Sequence, residues 1–384
     1  MKTICCRLLA LFAWLPFPFS ALANPLGGIV TPGSGAASIA GGAGVLTVNQ
    51  TTPNVIISWN DFSIGAGELT RFVQPSSSAA ALNRVITSNP SLLFGTLQAN
   101  GQIFLINPNG IIVGAAGQIN TSTFVGSTLD MGADIAKANA SFLSGAGLTF
   151  SGSSTAGIEN RGTISGLGDI FLIAHTVKNS GTISGQNVGL AAGTRVELKQ
   201  AQATAPGAER ISVIAEPSSS HASEGVNNAG TIAAVTAELK AAGGNIYALA
   251  INNGGAVRAT KLVNEGGRIF LRAEGGTVVN SGVLDASAKG AGEKGGQVQV
   301  LGKRVGLLGK SVVDVSGDGG GGTVLVGGDF QGKNPTVPNA VRTVVDKNVT
   351  IKADAITTGN GGKDRKSTRL NSSHLRLSRM PSSA

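Results

Sequence analysis

The chain has 384 residues, of which 57 are glycine, 4% aromatic, 13% charged and 41% apolar. Glycine is about twice and charge about half the usual share, which excludes an ordinary globular composition, and the apolar fraction excludes simple disorder. The net charge of +9 does not mark a nucleic-acid partner, because Lys2 and Arg7 supply +2 and the last 21 residues supply +4, leaving +3 spread thinly over residues 24–363.

In chain order, residues 1–23 read as a secretory signal. Lys2 and Arg7 give a positive start, residues 8–19 an apolar stretch, and Ala21, Leu22 and Ala23 a small-residue cleavage site, with cleavage expected between Ala23 and Asn24. The apolar stretch is shorter than the roughly 20 residues a membrane-spanning helix needs. No later segment reaches that length without glycine, polar or charged breaks, so an exported chain that does not span a membrane is expected. Both cysteines, Cys5 and Cys6, lie in the removed segment, and the mature chain can form no disulfide. Residues 24 to about 72 are less regular and hold the only mature tryptophan, Trp59, which makes them the candidate N-terminal cap of a repeat array.

Two interleaved repeats follow. Asn-x-Gly-x-aliphatic begins at Asn160, Asn179, Asn228, Asn253 and Asn280, and a glycine opening a β-branched or aromatic run recurs at Gly101, Gly168, Gly244, Gly267 and Gly296. The spacing is one unit of about 19 to 27 residues, too short for a βαβ unit of 30 or more. Short strands, each following a glycine, with helical caps largely missing, predict an all-β parallel β-solenoid whose coils stack on one another. Gly and Asn suit its corners because both tolerate left-handed backbone. At one strand spacing per coil, residues 24–363 predict a rod roughly 65 to 80 Å long. Residues 200–227, rich in Ala, Ser, Pro and Glu, predict a coil with an enlarged surface loop.

Residues 364–384 resemble a translated sequencing-library adapter over 364–374 and 378–384. They are read as an artefact, expected to be disordered, with the gene continuing beyond Lys363; a natural basic tail is the alternative.

Acidic residues are scattered, and the nearest group, Asp314, Asp318 and Asp329, sits in a glycine-rich corner without the tandem repeats of a calcium-binding β-roll. His175 and His221 have no second ligand or nucleophile close in sequence, and no phosphate-binding loop occurs. No enzyme activity, metal or cofactor is expected, although a polysaccharide-active β-helical enzyme remains a rival reading.

The most specific segment contains Ala81, Leu82, Asn83, Arg84 and Val85, then Asn89, Pro90, Ser91 and Leu92, then the run Asn107, Pro108, Asn109, Gly110 and Ile111. With Trp59, Asn60, Asp61 and Phe62 before it and Leu129, Asp130 and Met131 after, this resembles the N-terminal secretion domain of two-partner secretion exoproteins, the filamentous haemagglutinin family, and most closely its high-molecular-weight adhesin branch. The resemblance implies a right-handed parallel β-helix, with residues 24–200 as secretion domain including the cap and 201–363 as continuing repeats. It further implies a Gram-negative adhesin or related exoprotein, secreted or at the cell surface. Its partners would be the Sec machinery, the periplasmic domains and barrel of an outer-membrane transporter, and a host glycan or receptor. An autotransporter passenger is the alternative. Locally, the Asn-Pro-Asn-Gly run predicts a type I turn. The resemblance implies that the motif of Asn107, Pro108, Asn109, Gly110 and Ile111 serves transporter recognition, while the residues alone point first to a corner that only fixes the chain, and both can hold. An upstream Asn-Pro-Asn-Leu, carried by the haemagglutinin branch, is absent.

Overall fold

The structure is a computed structural model that describes residues 24–199, 208–214, 225–242, 249–259 and 266–366. The signal segment, with Ala23, lies outside the described residues, as do His221, most of the strand expected after Gly244, and residues 367–384.

Three parallel faces wind into a β-helix. The first runs from Val45–Gln50 through Gln118–Thr121 and Thr231–Ala234 to Thr350–Lys352. The second runs from Asn54–Trp59 through Gln102–Ile106 and Asp169–Ala174 to Lys363–Lys366. The third includes Ser91–Leu93, Ile111–Val113, Gly157–Asn160 and Arg342–Val345. Neighbouring strands along these faces pair in register, with shifts only between Leu249 and Ile251 and between Ala273 and Thr277 among the described residues, so like residues stack. On the first face Leu97, Ile119, Ile164, Ile183, Ile232, Val257, Leu284 and Val313 form one inward column, all fully buried. Each such side chain contributes about 1.5–3 kcal/mol of burial, which stabilises the rod without disulfides.

The asparagines and glycines of the repeat act differently from the expectation of left-handed corners. Among described non-glycine residues only Ala43 and Gln331 have positive φ. The asparagines instead point inward and form a ladder: each side-chain amide donates to the next Oδ1, from Asn160 to Asn179 (2.8 Å), to Asn228 (2.7 Å), to Asn253 (2.7 Å) and to Asn280 (2.6 Å). All five are 0–1% exposed. Gly181, Gly230, Gly255 and Gly282 stack above one another, and a Cβ on each would strike the carbonyl oxygen of the glycine one coil earlier. Close approach of backbones, not φ, excludes other residues here.

The rod is also shorter than coil arithmetic suggests. Register partners on the first face are 19 residues apart from Thr163 to Thr182 but 49 apart from Thr182 to Thr231. Ten parallel steps separate Val45–Gln50 from Thr350–Lys352, a rise of about 48 Å. Among the described residues, the extra ones include a helix and a small sheet that lie to the side of the coils.

One lateral excursion is the helix Ile135–Ser144, which the strand repeats concealed. Asp134 caps its start by accepting from Lys137 N, and Gly145 ends it at φ 67. The glycine N–H bonds to Phe142 O, and Ala146 N to Ser141 O, closing the last turn. Next to it, Leu148–Ser151, Arg195–Leu198 and Ile211–Val213 form an antiparallel sheet, so described residues in the expected loop contribute a strand. Helix and sheet cover the outer side of the second face, where Leu82, Phe104, Val125, Phe171 and Ile173 form a second apolar cluster with Phe142, Phe150 and Ile211. The second-face runs are therefore apolar without alternation because both sides are buried.

At the N-terminal end, Ile29–Val30 pairs antiparallel with Asn54–Trp59, and Ala37–Gly42 pairs antiparallel with Val45–Gln50. Trp59 meets Phe62 edge-on at 5.4 Å, and Phe62 stacks on Phe72 at 6.5 Å, closing the core. At the other end Lys363–Lys366 pairs in parallel with Thr323–Val326. The ladder thus takes Asp364, Arg365 and Lys366 out of the segment expected to be disordered; an open strand edge accepts main chain whatever its side chains.

Candidate functional site

The 107–111 corner joins Gln102–Ile106 on the second face to Ile111–Val113 on the third. Gly110 N donates to Asn107 O at 3.1 Å, and Asn109 N to Asn107 Oδ1 at 3.0 Å. Asn109 does not have positive φ, as a type I turn requires and a type II turn forbids.

Asn107 is fully buried, and its amide nitrogen donates to Asn89 O and Ser91 Oγ, both at 2.9 Å. Ser91 N donates to Gly110 O at 2.9 Å, and Asn109 Nδ2 to Thr87 O at 2.8 Å. From the following coil, Ser154 Oγ donates to Pro108 O at 2.6 Å. Three coils therefore pin one turn. Asn107, Gly110 and Ile111 face inward, whereas Pro108 and Asn109 are exposed beside exposed Asn89 and Pro90. The five sequence-selected residues are together, but only two reach solvent. The part that the sequence reading undervalued is Asn89, Pro90 and Ser91, whose stacking on the turn has no signal in linear spacing.

The other distinctive segments converge nearby. Trp59 Nε1 donates to Asn83 Oδ1 at 2.9 Å inside the core. Arg84 forms a two-pronged pair with Asp130, at 2.9 Å for each prong, and also donates to Asn139 of the lateral helix at 3.2 Å. Charge-assisted, paired geometry of this kind fixes orientation as well as distance. Asn24, on the mature side of the expected cleavage, accepts from Thr70 Oγ1 at 2.8 Å.

Among the described residues no group of three His, Cys, Asp or Glu side chains is placed to hold a metal. Asp318 serves the backbone: a hydrogen bond from the Thr357 hydroxyl, then one from Gly292 N, hold its carboxyl below the ordinary aspartate value. Asp329 is held low in the same way by Asn334 and Phe330 N. No described helix is long and apolar enough to cross a membrane.

A parallel β-helix with an N-terminal cap, a lateral helix and sheet, and one corner pinned by three coils defines the class of protein: a β-solenoid domain. The chain belongs to the TPS (two-partner secretion) secretion domain family, whose model matches residues 25–286. It is similar to the crystal structure of the HMW1 secretion domain from Haemophilus influenzae, at 29% identity and TM-score 0.68, over 86% of this chain and 84% of that one. Among curated proteins it is 38% identical over 86 residues to a heme/hemopexin-binding protein of Haemophilus influenzae, an alignment covering 22% of this chain and 10% of that protein. The matched part is thus about a tenth of that relative's length. The filamentous hemagglutinin secretion domain also matches, at 14% identity and TM-score 0.44. Members of this family are secretion domains of adhesin-type exoproteins, secreted or held at the cell surface, and they pass through the periplasm to a cognate outer-membrane transporter.

Proposed function

We propose that the 107–111 corner is the element of this secretion domain read by the transporter's periplasmic domains. Pro108 and Asn109, with Asn89 and Pro90, form the contact, while Asn107, Gly110 and Ile111 hold it in place. The observation that carries this reading is the combination of an exposed tip with a base tied to three coils by side-chain and main-chain hydrogen bonds. A pinned surface loses little entropy when a partner docks on it. In this reading the Sec machinery exports the chain, cleavage falls between Ala23 and Asn24, the corner and the coils that pin it form in the periplasm, and later coils add one by one outside the cell, since each coil needs only its neighbour. Host glycan or receptor binding belongs to the full-length exoprotein, not to this corner.

The test separates contact from folding. The Asn89 side chain is exposed and makes no hydrogen bond to the described residues, only its main-chain oxygen being used by Asn107, so Asn89→Lys alters only the surface. Co-expressed with the transporter, Asn89→Lys is expected to cut the secreted fraction while leaving the melting temperature unchanged, and Asn107→Ala to reduce both. Normal secretion of Asn89→Lys, with the Asn107→Ala defect tracking its stability, would reduce the corner to a structural element.

A further inference from the structure

The outer side of the second face changes character where its cover ends. Beneath the lateral sheet the outward residues are Phe171 and Ile173; two coils on, in the same columns, they are Glu238 and Lys240, then Phe270 and Arg272, then Gln299 and Leu301. A trench of about 1090 Å³ lies here, at the upper end of the size of ligand pockets. Ile211–Val213 forms one wall, held down by Glu238, which accepts from Arg210 N and Ile211 N. The segment 336–341 forms the other, anchored by Val337 against Leu301 and Leu325. Between the walls the floor is two paired strands wide, about 10 Å, and runs from Arg268 to Gly275 for about 23 Å.

Its charge is unlike that of the rest of the rod. Lys199, Lys240, Arg268, Arg272 and Lys303 line it, against Glu209 and the Glu238 beneath the sheet. Five cations against two carboxylates leave +3, which equals the entire excess over residues 24–363. The pairing is also incomplete. Glu209 is shared between Lys240 at 2.5 Å and Arg272 at 2.8 Å. The buried Nε of Arg272, on the floor, and the buried Oδ1 of Asn339, on the far wall, have no hydrogen-bond partner among the described residues. Lys199 and Lys303 are exposed, and neither forms an ion pair with a described residue.

These features select the occupant. Concentrated positive charge in a long trench attracts an extended polyanion. The floor's apolar side chains, Phe270 and Leu301, are 4% and 1% exposed and offer a peptide no anchoring pocket, and Arg272 covers the Phe270 ring at 5.5 Å, leaving no face on which a base could stack. The amides of Gln297, Gln299 and Asn339 and the hydroxyls of Ser212 and Thr336 line the trench instead, groups that exchange hydrogen bonds with sugar hydroxyls. A second copy brings no net opposite charge, since the charged residues of 24–363 outside the trench sum to zero. We propose that the trench binds an acidic oligosaccharide, an extended sugar chain carrying carboxylate or sulfate groups. Arg268 and Arg272 hold its anions with their planar guanidinium forks, and Lys199 and Lys303 attract it from the exposed margins. The trench lies on coils beyond the 107–111 corner, so its occupancy is independent of transporter docking.

Lys199→Glu/Lys303→Glu reverses the two exposed charges and breaks no ion pair with a described residue, while Lys178→Glu/Lys310→Glu makes the same change in net charge at exposed sites outside the trench. Four probes are titrated onto the purified chain at low salt: oligogalacturonate for carboxylate, sulfated dextran for sulfate, polyglutamate as an acidic peptide and plain dextran as a neutral sugar. The unaltered chain is expected to bind at least one acidic sugar, and which one identifies the anion. The trench variant should bind it about tenfold or more weakly at unchanged melting temperature, with the control pair within about twofold. If the double variant proves less stable, Lys303→Ala, which adds no charge, decides by a several-fold loss or none. Binding of neither acidic sugar overturns the proposal. So does undiminished affinity of the trench variant, an equal loss in the control pair, or equally tight binding of dextran or polyglutamate.

Discussion

Replacing Asn228 by alanine tests whether the buried asparagine ladder stabilises the rod as its geometry implies. Asn228 donates to Asn253 Oδ1 and accepts from Asn179 Nδ2, both at 2.7 Å, and it is 0% exposed. Its removal strands one amide hydrogen on Asn179 and one carbonyl lone pair on Asn253, in an interior lined by aliphatic side chains. Each buried, unsatisfied group costs about 1–3 kcal/mol, so the variant should lose about 2–6 kcal/mol, with the low end applying where a water enters the vacated space. Because each coil touches only its neighbours, the loss should concentrate in the coils on either side. Hydrogen exchange at the amides of Gly230 and Gly255 reads it directly: about 3 kcal/mol corresponds to roughly 100-fold faster exchange. Asn252, adjacent to the ladder residue Asn253 and only half-buried, is the control, and Asn252→Ala should stay within about 0.5 kcal/mol. Equal effects of the two substitutions in urea unfolding and exchange would refute the ladder argument.

Two further outcomes follow from backbone approach and from the lateral sheet. Gly230→Ala places a Cβ against the Gly181 carbonyl, which no rotamer relieves, whereas Gly42→Ala meets nothing within 4 Å; urea unfolding should show a loss of about 1–3 kcal/mol for the first and about 0.5 kcal/mol or less for the second. Glu238 accepts from Arg210 N (2.6 Å) and Ile211 N (3.1 Å) and pairs with Lys240 (2.8 Å), closing the edge of Ile211–Val213 in place of another strand. Glu238→Ala leaves the two amides without an acceptor, while Lys240 keeps Glu209 as a partner; at about 1–3 kcal/mol for each unsatisfied amide the cost is about 2–6 kcal/mol, which should free this strand and speed tryptic cleavage at Arg210, and an unchanged cleavage rate would show that the strand docks without the carboxylate.

The sequence by itself determined the repeat, its strand character and the turn at Asn107 to Gly110, because parallel in-register stacking imposes the same side chain at the same position in every coil. Periodicity in one dimension is then the fold. It could not assign the roles of Asn160 or Gly162, since an Asn-x-Gly corner reads the same whether left-handed backbone or close coil contact demands it. The register decided that, by placing each asparagine amide opposite the next and each glycine under a carbonyl. The lateral helix and sheet were hidden for a related reason: Asp134 and Gly145 are ordinary caps, but they interrupt a repeat instead of belonging to it. Likewise the continuous apolar run of Ile103, Phe104, Leu105 and Ile106 announced a strand without saying what covers its outer side. Only tertiary structure brought Asn89 and Ser91 beneath Asn107 and left Ala37–Gly42 as an open edge, because contacts between coils and the ends of a sheet depend on which chain segments become neighbours in space.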